Sequence, residues 1–435
     1  MIRDAYQSLL KWKSEPGRKP LIIQGARQVG KTWLMKEFGK QEFPNTAYFN
    51  FESTKELHRI FQQDLDTRRV LNALGILAGK KIEPGNTLLL LDEIQECPAA
   101  VTALKYFQEN APEYHLIAAG SLLGVAMHRG ISFPVGKVDF LDLHPLGFHE
   151  FVRSTGNGGL LDTLESGDMK TIGLMEFRFK ELLKKYLFTG GMPEVVRELN
   201  ESGDLRKVRQ LQENILRAYE NDFSKHAPPN QLPRIRLVWQ SITGQLAKEN
   251  SKFIYSVLRT GARAKEFELA ITWLTDAGLV QKVTRVSKPG LPLSAYADWS
   301  DFKLYLNDVG LLCAMADLDV EVVLKDNELF TEFKGKLTEQ FILQLLIIHG
   351  HGAYYWNPEN ATAEIDFLIQ RNNTLVPIEV KSSQNLKSRS LRTFYDKYHP
   401  VHCIRTSLAG YKEHEWMTNI PLYTFEQWLT SELRT

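Results

Sequence analysis

Cysteine is scarce, with Cys97, Cys313 and Cys403 the three in 435 residues, set far apart. That spacing matches neither a zinc cage nor a disulfide framework, and it points to a reducing compartment. Long apolar runs are missing too. Thr87–Leu91 and Phe341–Ile348 are the strongest, well short of the ~20 residues that cross a bilayer. Met1 to Lys13 is amphipathic and charged, without the apolar stretch of a signal peptide. A soluble, cytoplasmic protein with no membrane partner is expected. Charge of one sign is not in excess: 53 Lys and Arg stand against 52 Asp and Glu, for a formal net charge of +1. This excludes a uniformly basic nucleic-acid coat but not a local basic face. The lack of repeats and low-complexity tracts argues against solenoids and disordered scaffolds.

What is present is an ordinary folded composition, 43% apolar and 24% charged, on a chain long enough for about three domains. Leu21–Gln24, Thr46–Phe51, Leu88–Asp92, His115–Gly120 and Lys137–Leu143 read as five strands separated by helical patterns. Unbroken apolar strands of this kind belong to a parallel sheet covered on both faces. Ser154 to Ser166, rich in Gly, Ser and Thr, reads as an exposed loop. A helical stretch from Met175 to about His226 is interrupted at Thr189-Gly-Gly-Met-Pro193. Three helical patterns and a strand-like Gln281–Val286 then suit a winged helix. A long helix, Thr331–His349, opens the last part.

Chemistry concentrates first at Gly25-Ala26-Arg27-Gln28-Val29-Gly30-Lys31-Thr32, a G-x-x-x-x-G-K-[ST] motif between a strand and a helix. Its glycines let the backbone curl so that N–H groups face phosphate oxygens, helped by the helix N-terminus. Lys31 reaches the β- and γ-phosphates, and Thr32 places its hydroxyl on Mg²⁺. Thr87-Leu-Leu-Leu-Leu-Asp92-Glu93 is an apolar strand ending in two acids. Asp92 suits the magnesium shell and Glu93 the general base that activates water. That second acid favours hydrolysis of ATP over simple binding. Ser121, after the next strand, is either a sensor of the γ-phosphate or an ordinary turn residue. Thr189–Pro193 either approaches the nucleotide or only breaks a helix.

These segments, with Leu143-His-Pro-Leu-Gly-Phe-His-Glu-Phe151 and Gly190-Gly-Met-Pro193, resemble archaeal and bacterial AAA-like P-loop ATPases with a C-terminal domain of unknown function. The resemblance implies an α/β architecture: a P-loop parallel-sheet core (1–160), a helical lid (175–228), a winged helix (229–300) and a restriction-endonuclease-like C-terminal domain (301–435). One departure is Gly136-Lys137 where such proteins carry Gly-Arg. A lysine lacks the bidentate fork of a charge-stabilising arginine, and Arg129 is the alternative cation in that stretch.

In the last part, Ala363-Glu-Ile-Asp366 and Val376-Pro-Ile-Glu379-Val-Lys381 flank a turn, Arg371–Thr374. This spacing resembles the PD-(D/E)XK nucleases. Glu379 and Lys381, two apart on one strand, share a face. Asp366 and Glu379 are candidate ligands for a divalent ion, and Lys381 is the candidate that orients water. Glu339 resembles that superfamily's additional helical acid. The alternative is a charged strand pair without catalysis, and burial would then demand mutual pairing.

Arg259, Arg263 and Lys265 at the entrance of the Ala264–Ala277 helix, with Lys282, Arg285 and Lys288 on the wing, form a candidate DNA face, diluted by Glu266, Glu268 and Asp276. Two whole-protein readings follow. One is an ATP-driven factor acting on or with DNA. The other is a nucleotide-dependent switch that binds a protein partner and carries an inactive C-terminal domain. Either could act as a homo-oligomer.

Overall fold

The computed structural model describes residues 2–121, 124–125, 133–248, 251–324, 331–358, 363–382 and 387–431. These form two compact units, Met1–His144 with Asp276–Leu279, and Pro145–Thr275 with Val280–Thr435.

In the first unit, β1 (Leu21–Gln24), β2 (Asn45–Asn50), β3 (Thr87–Asp92), β4 (His115–Gly120) and β5 (Asp139–Asp142) form a sheet in the order β2-β3-β4-β1-β5. Every pairing is parallel. The five expected strands are all there, β1 and β4 with the expected ends and the others shifted by at most two residues. Leu88 to Leu91 of β3 are fully buried, as an interior strand with helices on both faces requires. The edge strand β5 instead alternates half-buried and exposed positions. The helix Lys31–Glu42 buries Leu34, Met35 and Phe38. On another part of the sheet Phe49, Phe61, Leu74, Leu91, Leu104 and Phe107 share one apolar cluster. Truncating such a leucine to alanine costs about 2–5 kcal/mol. Because the strands are parallel, Gln24, Asp92 and Gly120 all end at one edge of the sheet, where open α/β folds place their sites.

The second unit opens with helices. Its Ser154–Ser166 segment is not simply a loop: Gly158–Ser166 is helical, with Leu161 and Leu164 buried. Packing of that apolar pair overrides the weak helix propensity of its glycines. The helices Glu176–Thr189, Pro193–Ser202 and Leu205–His226 break where the Gly-Gly-Met-Pro segment predicts. The mixed sheet contains β6 (Val280–Val286), β7 (Ala297–Leu306), β8 (Tyr354–Trp356), β9 (Ile365–Arg371), β10 (Thr374–Val380), β11 (Ile404–Ser407), β12 (Lys412–Glu413) and β13 (Thr418–Pro421). Their order is β12-β13-β11-β10-β9-β8-β6-β7. Asn372 and Asn373, with φ of 47° and 58°, make the tight β9–β10 turn that asparagine tolerates. β6 and β7 pair as an antiparallel hairpin in the segment where a wing is expected, and β6 also pairs in parallel with β8. The boundary expected at 300 therefore falls inside β7, and the first unit closes at His144 instead of 160. Among the described residues no helix is long and apolar enough to cross a membrane.

Candidate functional site

β1 delivers the chain directly into Gly25–Thr32, and the helix Lys31–Glu42 begins inside the motif. Gly25 has φ +143°, and a β-carbon there would overlap the Leu143 carbonyl oxygen. Only glycine fits. Gln28 and Gly30 also take positive φ, 66° and 94°, which curls the loop around the helix N-terminus. The buried Lys31 ammonium donates to the carbonyls of Gly25 at 2.8 Å and Ala26 at 2.7 Å. Burial pulls its pKa down to about 8, although Glu93 and Asp92 act in the opposite sense.

Thr32 Oγ1 donates to Asp92 Oδ2 at 2.8 Å, so the motif and the end of β3 meet. The Glu93 N–H donates to Asp92 Oδ1 at 3.1 Å. Glu93 itself stands at φ +51°, a left-handed position unusual for a glutamate. Its Oε2 accepts from Gln95 Nε2 at 2.6 Å and from Ser121 Oγ at 3.2 Å. Ser121, buried at the end of β4, also accepts from Arg27 Nε at 3.1 Å. Lys31, Thr32, Asp92, Glu93 and Ser121 thus converge, along with Arg27.

The C-terminal residues also come together. Asp366 on β9 accepts from the Val380 N–H of β10 at 2.7 Å. Lys381 Nζ pairs with Glu379 Oε1 at 2.9 Å, as expected for side chains on one face. Glu339 accepts from Lys336 at 2.9 Å and from the Tyr305 hydroxyl at 3.0 Å. Lys303 of β7 has no exposed surface; it pairs with Glu364 and lies 4.7 Å from the Tyr355 ring centroid. Burial opposes the Lys303 ammonium, but Glu364, Glu339 and Asp366 outweigh it and raise its pKa. Loss of hydration, with Glu339 next in effect, raises the Asp366 carboxyl well above its ordinary range. Glu379 Oε2 is buried without a hydrogen-bond partner among the described residues. No group of three or more His, Cys, Asp and Glu among those residues is arranged to hold a metal.

Residues 17–152 match the family of AAA domains. Residues 180–321 and 334–425 match two domains of unknown function, DUF8612 and DUF4143. No curated protein matches the chain. Among solved structures it is similar to the Walker-type ATPase PABY2304 of Pyrococcus abyssi, at 14% identity over 72% of this chain and 95% of that one, TM-score 0.46. AMPPCP-bound DnaA from Aquifex aeolicus aligns at 16% identity over 63% and 86%, TM-score 0.26. The Aeropyrum pernix Orc1 protein in complex with DNA aligns at 13% over 73% and 93%, TM-score 0.27. The AAA match spans Gly25–Thr32, Asp92, Glu93 and Ser121, and it supports a nucleotide-binding P-loop ATPase.

Other expected residues are occupied elsewhere. Gly190, at φ +72°, leaves the space that Asp308 Oδ1 fills, and the Gly191 N–H donates to Asp308 Oδ2 at 2.6 Å. This fully buried carboxylate also caps the helix Val309–Met315 through the Leu311 N–H. The glycine pair thus has a structural employment. Lys137 pairs with Glu109 at 3.0 Å, while Arg129 lies outside the described residues. On the β6–β7 hairpin, Arg285 faces Asp298 and Asp301, and Lys282 lies 4.2 Å from the Phe302 ring centroid. Arg259 pairs with Glu266 at 2.8 Å. Arg263, Lys265 and Lys288 are exposed, so the basic face is narrower than its residue count implies.

Three site residues had no motif to announce them. The Tyr48 hydroxyl donates to Asp92 Oδ2 at 2.8 Å, Arg3 donates to the Val29 carbonyl at 2.8 Å, and Lys303 reaches the C-terminal acids from β7. The one hint is that Arg3 and Lys303 are buried charges, and such charges need partners.

Proposed function

We propose that the chain binds ATP with Mg²⁺ at Gly25–Thr32 and hydrolyses it. The carrying observation is the 2.8 Å hydrogen bond from Thr32 to Asp92, with the Glu93 carboxylate one residue further on. Backbone N–H groups of Gly25 to Gly30 surround the phosphates, and Lys31 supplies the charge. Thr32 and Asp92 offer the hard oxygen donors that suit Mg²⁺, which would neutralise phosphate charge. Glu93 takes a proton from the attacking water as its oxygen bonds the γ-phosphorus and the bond to the β-phosphate oxygen breaks. The proton then leaves to phosphate or solvent. Equilibrium nucleotide binding and ATP turnover test this. Lys31→Ala should lose both; Glu93→Gln should keep binding and lose at least ~100-fold in turnover. Undiminished turnover in Glu93→Gln would remove the general base from the scheme.

The C-terminal acids support a second reading, metal-dependent cleavage of DNA. The observation favouring it is the buried, unpartnered Glu379 Oε2, since an orphaned carboxylate oxygen is costly unless something binds it. Asp366 and Glu379 would hold the ion, with water or phosphate oxygens completing its shell; Lys381 would orient the water. Exposed Arg263, Lys265 and Lys288 are the cations available to DNA. Plasmid cleavage in Mg²⁺ or Mn²⁺, with and without ATP, should vanish in Asp366→Ala. No cleavage alongside intact ATP turnover favours the switch with a protein partner, in which these acids are a lysine-paired scaffold.

A further inference from the structure

β2 is an edge strand of the first sheet, yet it reaches the phosphate site. Tyr48 and Asn50, two apart and half-buried, project from one face of the strand, and Asn50 stands in register with Asp92 on β3. The Tyr48 hydroxyl donates to Asp92 Oδ2, the same oxygen that accepts from Thr32 Oγ1, each at 2.8 Å. The other carboxylate oxygen accepts from the Glu93 N–H. Three donors therefore hold Asp92, and Tyr48 is the one that comes from outside both motifs. It is fixed in turn. The Lys36 ammonium lies 3.7 Å from its ring centroid, and Asn50 Nδ2 donates to its hydroxyl oxygen at 3.4 Å. Asn50 Oδ1 accepts from the N–H groups of Glu52 and Ser53 in the turn that follows β2.

We propose that Tyr48 is a positioning residue for the magnesium ion of the bound nucleotide, acting on the ion through the Asp92 carboxylate that it holds. The inference rests on the ATPase reading above. Outer partners of this kind orient a ligand before the metal arrives, so less ordering remains to be done on binding. Thr32 has a second duty, since its own hydroxyl oxygen is a candidate ligand; Tyr48 has no other bond to a site residue among those described. A phenol also suits the task because it donates without bringing positive charge up to a cation site. Tyr48 therefore governs what Mg²⁺ adds to nucleotide binding, and not the contacts that Gly25–Lys31 make with phosphate.

The test is equilibrium binding of a non-hydrolysable ATP analogue in EDTA and across a Mg²⁺ titration, with turnover followed over the same titration. Wild type, Tyr48→Phe, Asp92→Asn and the Tyr48→Phe/Asp92→Asn double variant are compared. Tyr48→Phe keeps the ring beneath Lys36 and loses only the hydroxyl. It should bind the analogue in EDTA within about twofold of wild type and raise the Mg²⁺ concentration of half effect about tenfold. Its kcat at saturating Mg²⁺ should stay within about threefold of wild type, because the ion once bound restores the site. Asp92→Asn should lose most of the Mg²⁺ effect, and Tyr48→Phe should cost nothing more in that background. A Tyr48→Phe curve that coincides with wild type, an equal loss with and without Mg²⁺, or additive losses in the double variant would each overturn the proposal while leaving ATP binding in place. Wild type that binds no nucleotide would overturn the ATPase reading itself, and this one with it, before any variant is compared.

Discussion

Lys31 is a buried lysine turned onto the carbonyls of its own loop, and its pKa of about 8 lies in the working range of most assays. The sign follows from linkage. Below pH 8 the free protein already holds the proton that a polyphosphate needs; above it, binding must take that proton up. ATP affinity should therefore hold level to about pH 8 and then fall by up to tenfold per pH unit. Fluorescent-nucleotide titrations between pH 7 and 9.5 measure this. Lys31→Arg, which stays charged, should flatten the slope even if it lowers affinity throughout. Tyr48 and Arg3 belong to the same scale but not to the same kind of signal. Their partners lie 44 and 26 residues away, and no local periodicity records so distant a hydrogen bond.

Elements were legible wherever burial repeats along the chain. β3 and β4 are buried throughout and apolar through their centres because both faces are covered, and the Asn372-Asn373 turn carries its own backbone chemistry. The helix Gly158–Ser166 was hidden because its two glycines and four polar residues outweigh three leucines in a local count. The break after the helix Glu176–Thr189 was legible as a break, but its purpose was not, since Asp308 comes from far along the chain. That junction carries a prediction of its own. Burial raises the Asp308 carboxyl to about 6, while hydrogen bonds from Gly191 and Leu311 work against the shift. Between about pH 4 and 6 the folded chain keeps a proton that the unfolded chain loses, so this group's contribution to stability falls as pH rises through that window. Urea unfolding at pH 4, 5, 6 and 7 should show that fall superimposed on other groups. Asp308→Asn should flatten the contribution, and Asp308→Ala should cost about 1–3 kcal/mol for each N–H left unpaired.

For the whole molecule, the two compact units set what a ligand can protect. A nucleotide held by Gly25–Thr32 and Asp92 stabilises the unit that contains those residues, by about 2.7 kcal/mol at a concentration 100 times Kd. Hydrogen exchange with and without MgATP should slow most along β1, β3 and β4, and least along β9 to β13. Equal slowing of both sets would show one cooperative body. The limits of these units were the least legible feature, because a boundary is set by which strands pair, and the 67 residues (287–353) between the end of β6 and the start of its parallel neighbour β8 separate the two only in sequence. In the sheet they are adjacent. The hairpin β6–β7 and the C-terminal strands are consequently one unit of inheritance. A gene fusion or deletion with its joint near residue 300 would cut through β7, uncover the flank of β6 and leave Glu364 without the Lys303 ammonium. Recombination can carry this sheet into another protein only by moving residues from before β6 to beyond β13 as a single cassette.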